Sequence, residues 1–102
     1  MLSQTPPEGQ ITVYTTTYCP YCTFAKDFLT RKSLPFIEID VTGDTSLREA
    51  LLLKSGGRTT VPQIFIGETA IGGYDDLVAL SKSPDFEKLL KSSGITLENA
   101  LD

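Results

Sequence analysis

Apolar positions between Ile11 and Lys91 recur in two periods, one near two residues and one near 3.6, and the switches between them lay out the elements. Ile11-Thr12-Val13-Tyr14-Thr15 alternates β-forming residues and predicts a strand. From Thr23 to Lys32, Phe24, Ala25, Phe28 and Leu29 share one helical face, with Lys26, Asp27, Arg31 and Lys32 away from it. That pattern predicts an amphipathic helix, extendable back to Pro20. Pro35 closes the connection, and Phe36-Ile37-Glu38-Ile39-Asp40-Val41 reads as a second strand. Strand, helix and strand within about thirty residues make a βαβ unit, parallel and right-handed.

Ser46-Leu47-Arg48-Glu49 has the spacing of a capping box, Leu47, Ala50 and Leu51 can face a core, and Gly56-Gly57 would stop this second helix. Leu52 and Leu53 make it apolar on more than one side. Thr59 to Ile66 predicts a third strand, opened by Pro62 where a missing N–H is tolerated. Gly67-Glu68 is a tight turn, and Thr69-Ala70-Ile71 is the returning arm of a hairpin. General frequency makes a trans Val61–Pro62 bond the default, since only about 5–6% of X–Pro bonds in folded proteins are cis. Gly72-Gly73-Tyr74-Asp75-Asp76-Leu77 leads into a third helix; its glycines serve either a plain turn or the close approach of an anion to backbone N–H groups. Ser83 and Pro84 start a short fourth helix running to Lys91 and ending near Gly94. Residues 1–9 and 95–102 show no strong pattern and read as tails on one domain whose core is about 10–91.

Composition narrows the function classes. The chain has 102 residues, 40% of them hydrophobic, sufficient for one modest core. Nine Lys and Arg against thirteen Asp and Glu give a net charge of −4, which speaks against nucleic acid as the partner. No stretch is long and apolar enough to cross a bilayer, and the polar Met1–Gln10 segment with Pro6-Pro7 lacks the basic start and apolar run of a secretory signal. With only two cysteines, the expectation is a soluble, cytoplasmic protein in a reducing compartment.

Those two cysteines carry the candidate chemistry. Cys19-Pro20-Tyr21-Cys22 lies between the first strand and the first helix. If the helix starts at Pro20, Cys19 occupies the cap, where free backbone N–H groups and the positive end of the helix dipole favour a thiolate. A cysteine pKa of about 8.5 falls to roughly 3.5–7.5 in such settings, which makes Cys19 a candidate nucleophile, with Cys22 shielded one turn in. Two alternatives compete. A structural zinc wants four N/S ligands, and the chain has no histidine and no third cysteine, so no metal site is expected within it. A structural disulfide would close so short a loop that it constrains little of the unfolded chain.

Taken together, Cys19-Pro20-Tyr21-Cys22, Thr60-Val61-Pro62-Gln63-Ile64-Phe65-Ile66 and Gly72-Gly73-Tyr74-Asp75-Asp76-Leu77 resemble the dithiol glutaredoxins of the thioredoxin superfamily over roughly Gln10 to Leu90. The resemblance implies an α/β thioredoxin-like fold, a four-stranded mixed sheet of βαβ plus β-hairpin with helices on both faces. It implies a glutathione-dependent thiol–disulfide oxidoreductase, with Cys19 as attacking thiolate, Cys22 as resolving thiol and glutathione as co-substrate. Glutathionylated or disulfide-containing proteins would be its substrates, and a monomer its default state. It further implies a cis Val61–Pro62 bond. Tyr21, Thr60 and Val61 would lie along glutathione, and Gly73, Tyr74, Asp75 and Asp76 would hold its γ-glutamyl end, the ammonium meeting the Asp76 carboxylate. Thr16 departs from the family pattern, which carries Lys or Arg three residues before the first cysteine. Arg58, four residues before Pro62, is the expected replacement at the glycine carboxylate, Thr16 offering only a hydroxyl. The Tyr74 side chain is left between substrate contact and plain exposure. Some relatives instead carry a [2Fe–2S] cluster between two subunits, and Pro20 argues against that role here. A thioredoxin-like protein served by a flavoprotein reductase is a further alternative.

Overall fold

A computed structural model describes residues 10–95. Four strands form one sheet in the order β2-β1-β3-β4: β1 (Ile11–Thr15), β2 (Phe36–Asp40), β3 (Gln63–Ile66) and β4 (Thr69–Gly72). β1 is buried along its whole length because it lies in the interior, parallel to β2 and antiparallel to β3. Ile11 pairs with Phe36 on one side and Ile66 on the other, and Tyr14 with Ile39 and Gln63. β3 and β4 complete the expected hairpin, with a register irregularity between Ile64 and Phe65.

Alternation along the strands divides the apolar residues between two faces. Ile11, Val13, Ile64 and Ile66 pack with Ala25 and Leu29 of α1 (Pro20–Arg31), Leu77 of α3 (Tyr74–Ser81), and Phe86 and Leu90 of α4 (Pro84–Ser92). Tyr14 and Phe65 turn the other way onto Val41 and Leu51 of α2 (Thr45–Lys54), their rings edge-on at 5.5 Å. Helices therefore cover both faces of a mixed sheet. A fully buried leucine contributes about 1.5–3 kcal/mol, so the larger cluster, with Leu29, Leu34, Leu77 and Leu90, holds most of the apolar stabilisation.

The structure departs from the sequence reading in several places. Asp44, not Ser46, caps α2, its Oδ1 accepting the Leu47 N–H at 2.9 Å. A carboxylate in that position satisfies a free amide and meets the positive end of the helix dipole. Leu52 and Leu53 face outward, Leu53 at 84% exposure. β3 starts at Gln63; residues 59–62 form a bent approach whose last peptide, Val61–Pro62, is cis, as the resemblance implied and the general frequency did not. β2 ends at Asp40, with Val41 just beyond it buried and its N–H donating to the Thr15 carbonyl at 2.9 Å. Ile95, read as the start of a patternless tail, is buried in the larger cluster. The rest of that tail and residues 1–9 lie outside the described residues.

Candidate active site

The first helix begins at Pro20 with Cys19 as its cap. Proline suits the first helical position because an N–H there would have no intrahelical partner. Cys19 Sγ accepts the Cys22 N–H at 3.0 Å, and its carbonyl accepts the N–H groups of Cys22 and Thr23. Cys19 is partly exposed and Cys22 is 2% exposed; the two sulfurs form a disulfide. The sulfur of Cys19 thus sits where backbone donors and the dipole of a twelve-residue helix converge.

The turn that delivers Cys19 is braced from the turn that follows β2. Thr42 Oγ1 accepts the Thr17 N–H at 2.7 Å and pairs with the Thr17 hydroxyl at 3.0 Å. Asp40 Oδ1 accepts the Thr42 N–H at 2.8 Å, and the Thr42 hydroxyl and amide hold the Asp40 carboxyl below its ordinary range. Thr16 is partly exposed in this same turn and is not among the residues that these bonds join.

Two further segments meet the cysteine helix. Tyr74, first residue of α3, stacks obliquely on Tyr21 at 6.3 Å and on Phe24 at 5.8 Å, and meets Phe28 edge-on at 6.5 Å. Its ring is half-buried as the joint between α1 and α3, rather than simply exposed. Tyr21 and Phe24 remain 56% and 47% exposed, so the joint has an open aromatic edge next to Cys19. At the position before Tyr74, a Cβ on Gly73 would lie 3.6 Å from the Pro62 carbonyl oxygen, so the cap of α3 passes directly over the proline segment. Gln63, buried, donates from Nε2 to the Thr60 carbonyl at 2.9 Å and fixes the exposed Thr60 beside the half-buried Val61.

Asp76 is held at the surface by two partners. Its Oδ2 accepts the Gly73 N–H at 2.9 Å, half of a capping box, since glycine has no side chain to return the bond. The same oxygen meets Arg58 Nη2 at 3.2 Å. The Gly73 amide first, and Arg58 second, hold the Asp76 carboxyl below its ordinary range. Asp75 is exposed on the outer side of this helix start. The Arg58–Asp76 pair was not foreseen from sequence, which assigned the two residues to opposite ends of one ligand. Arg58 and Val61 also border a cavity of about 280 Å³ against α2, lined too by Arg48, Glu49, Leu51 and Leu52.

A mixed four-stranded sheet, a helix-capping Cys-x-x-Cys after its central strand and a cis-proline segment packed against the next helix start define a thioredoxin-like thiol–disulfide oxidoreductase. The glutaredoxin family model matches residues 11–71. A glutaredoxin of Pseudomonas aeruginosa is 49% identical over 80% of this chain and 96% of its own, and glutaredoxin 3 of Escherichia coli K12 is 46% identical over 81% and 99%. Among solved structures, a buckwheat glutaredoxin–glutathione complex superposes with TM-score 0.72 at 28% identity, covering 82% of this chain and 78% of that one. The solution structure of Brucella melitensis glutaredoxin gives 0.68 at 45% identity, over 80% and 88%. The chain belongs to the glutaredoxin family.

Proposed function

We propose that this glutaredoxin reduces glutathione mixed disulfides and protein disulfides, with glutathione as its electron donor. The observation that carries the reading is the cap geometry of Cys19, whose Sγ accepts a backbone N–H at the start of α1 beside the Gly73–Asp76 helix start. The one supplies a stabilised thiolate, and the other supplies amides and a carboxylate for an amino-acid end. A buckwheat relative has been solved as a glutathione complex, which supports the choice of thiol.

The Cys19 thiolate attacks the glutathione sulfur of a mixed disulfide. The Cys19–glutathione bond forms, and the substrate leaves as its thiolate. A second glutathione thiolate then attacks the bound glutathione sulfur, producing oxidised glutathione and returning the Cys19 thiolate. With a protein disulfide, Cys19 forms the mixed disulfide and Cys22 attacks Cys19 Sγ. That step releases the reduced protein and leaves the Cys19–Cys22 disulfide, which two glutathiones reduce. In this reading Tyr21, Thr60, Val61 and Pro62 line the glutathione chain, Thr16 offers a hydroxyl beside it, and Gly73, Tyr74 and Asp75 present backbone to its γ-glutamyl carboxylate. Asp76 takes the ammonium and Arg58 the glycine carboxylate. Holding the reacting sulfurs in line removes much of the entropic barrier to exchange. The same reading has the protein acting as a cytoplasmic monomer on glutathionylated or disulfide-containing proteins.

The test is turnover of a glutathione mixed disulfide with reduced glutathione and glutathione reductase. Wild type and Cys22→Ser are expected to turn over, and Cys19→Ser to be inactive. Equal loss in both cysteine variants would overturn the division of roles, and a wild type active only with a flavoprotein thioredoxin-type reductase would overturn the choice of glutathione.

A further inference from the structure

Four rings lie together where α1 meets α3. Phe24 stands edge-on to Tyr21 at 5.5 Å and tilted against Tyr74 at 5.8 Å, and Tyr74 meets Phe28 at 6.5 Å. Tyr74 and Phe28 are the half-buried part of the joint, whereas Tyr21 and Phe24 keep open ring surface toward solvent. Contiguous apolar surface of this kind marks a place of contact. The glutathione reading leaves Phe24 without a role, because glutathione has no apolar side chain to lay on its ring. The reacting bond indicates what does reach it. A disulfide holds its two Cα atoms about 4.4–6.8 Å apart, so a polypeptide cysteine bonded to Cys19 comes about as close to it as Cys22, whose Cα is at 5.1 Å. The neighbours of that cysteine, at about 3.3 Å per extended residue, then pass over the first two turns of α1, where Tyr21 and Phe24 lie. Asp27 and Arg31, three and seven residues beyond Phe24, are exposed and of opposite charge, so apolar contact rather than net charge is what this surface offers.

We propose that Phe24, with the outer edge of Tyr21, determines specificity for polypeptide disulfides by receiving an aliphatic or aromatic side chain that lies within two residues of the cysteine bonded to Cys19. The inference rests on the protein-disulfide half of the reaction above and adds to it the class of polypeptide that reacts fastest. Glutathione and polypeptide are thereby read by different parts of one site: the Gly73–Asp76 helix start takes the polar end of the tripeptide, and the ring of Phe24 takes apolar side chains that the tripeptide lacks. Closing the 47% of Phe24 that is still open is worth about three- to tenfold in such an association.

The experiment measures kcat/KM for two short synthetic peptides, each closed by one disulfide and alike except that leucine flanks both cysteines in one and serine in the other. Reduced glutathione, glutathione reductase and NADPH supply the electrons, and loss of NADPH is followed for wild type, Phe24→Ser and Phe24→Leu. Wild type is expected to favour the leucine peptide. Phe24→Ser is expected to lose about three- to tenfold on that peptide while keeping its rates on the serine peptide and on a small glutathione mixed disulfide, and Phe24→Leu to restore the preference. A fall shared equally by both peptides would assign Phe24 to the joint between the helices, and an unchanged leucine preference would leave the ring idle; either overturns the proposal. So does a wild-type dimer in sedimentation that Phe24→Ser dissolves, which would give the ring to a second copy of the chain. A wild type that turns over only with a flavoprotein thioredoxin-type reductase removes the choice of glutathione alone; the leucine preference, measured with that donor, then decides the role of Phe24 separately.

Discussion

Gly72→Ala is the substitution from which the structure predicts most. Gly72 closes β4 with φ +114, a conformation that L side chains rarely adopt, and an added Cβ would collide with Asp76 Oδ2 and lie 2.8 Å from Asp76 Cγ. Backbone strain of this kind costs about 1–3 kcal/mol. Relief requires the Asp76 side chain to swing away, which gives up its bond to the Gly73 N–H, worth about 0.5–2 kcal/mol as a helix cap, and its exposed pair with Arg58, worth about 0.2–1 kcal/mol. The sum, about 2–6 kcal/mol, lowers Tm by at least about 8 °C for a domain of this size. Thermal unfolding followed by circular dichroism is the assay, run on Gly72→Ala, Asp76→Ala and the double variant. If alanine acts through Asp76, the double variant is less destabilised than the two single losses combined, because the cap and ion pair are lost only once. Strict additivity, or a fall in Tm of under about 3 °C for Gly72→Ala, would refute the reasoning.

Two further predictions concern the supports of the site. The Asp76 carboxyl is held below its ordinary range, so its contribution to stability is present in full above the unfolded value of about 3.9 and disappears as pH falls through the lower folded value. The Tm difference between wild type and Asp76→Asn is therefore expected to be level above about pH 5 and to close in more acidic solution; a gap constant down to about pH 2 contradicts it. Thr42→Val removes the oxygen that receives the Thr17 amide, and is expected to lower stability by about 0.5–1.5 kcal/mol and to hasten hydrogen exchange at Thr17, with Thr42→Ser restoring both. A serine variant no better than valine would show that the hydroxyl is not what braces the turn.

The sequence made the strands and the cysteine helix legible because each follows from local pattern: β1 occupies Ile11–Thr15 as read, and Ser83-Pro84 opens α4 as read. The first turn of α2 misled because Ser46 and Glu49 have capping-box spacing, while Asp44, two residues earlier, starts the helix first and takes the Leu47 amide. Leu52 and Leu53 make α2 apolar on more than one side, as read, but only its Leu47 and Leu51 side meets the sheet. Thr59 to Val61 carry β-formers but leave the ladder at the bend before Pro62, where local propensity yields to the approach of Gly73. The Arg58–Asp76 pair was beyond reach for a different reason. It exists because β3 and β4 lie side by side and bring the segment before one against the helix after the other, a relation no local pattern encodes.

The unequal depth of the two sulfurs gives the disulfide a front and a back. Cys22 lies beneath the surface at 2% exposure, so a molecule arriving from solution meets one sulfur of the bond and not its twin. In the proposed reaction, exchange with an outside thiol is therefore addressed to Cys19, with Cys22 as the departing thiolate. On that reading, the difference in depth favours opening the disulfide from its Cys19 half. Electrons enter and leave through a single doorway, and a symmetrical chemical bond behaves as a device with polarity.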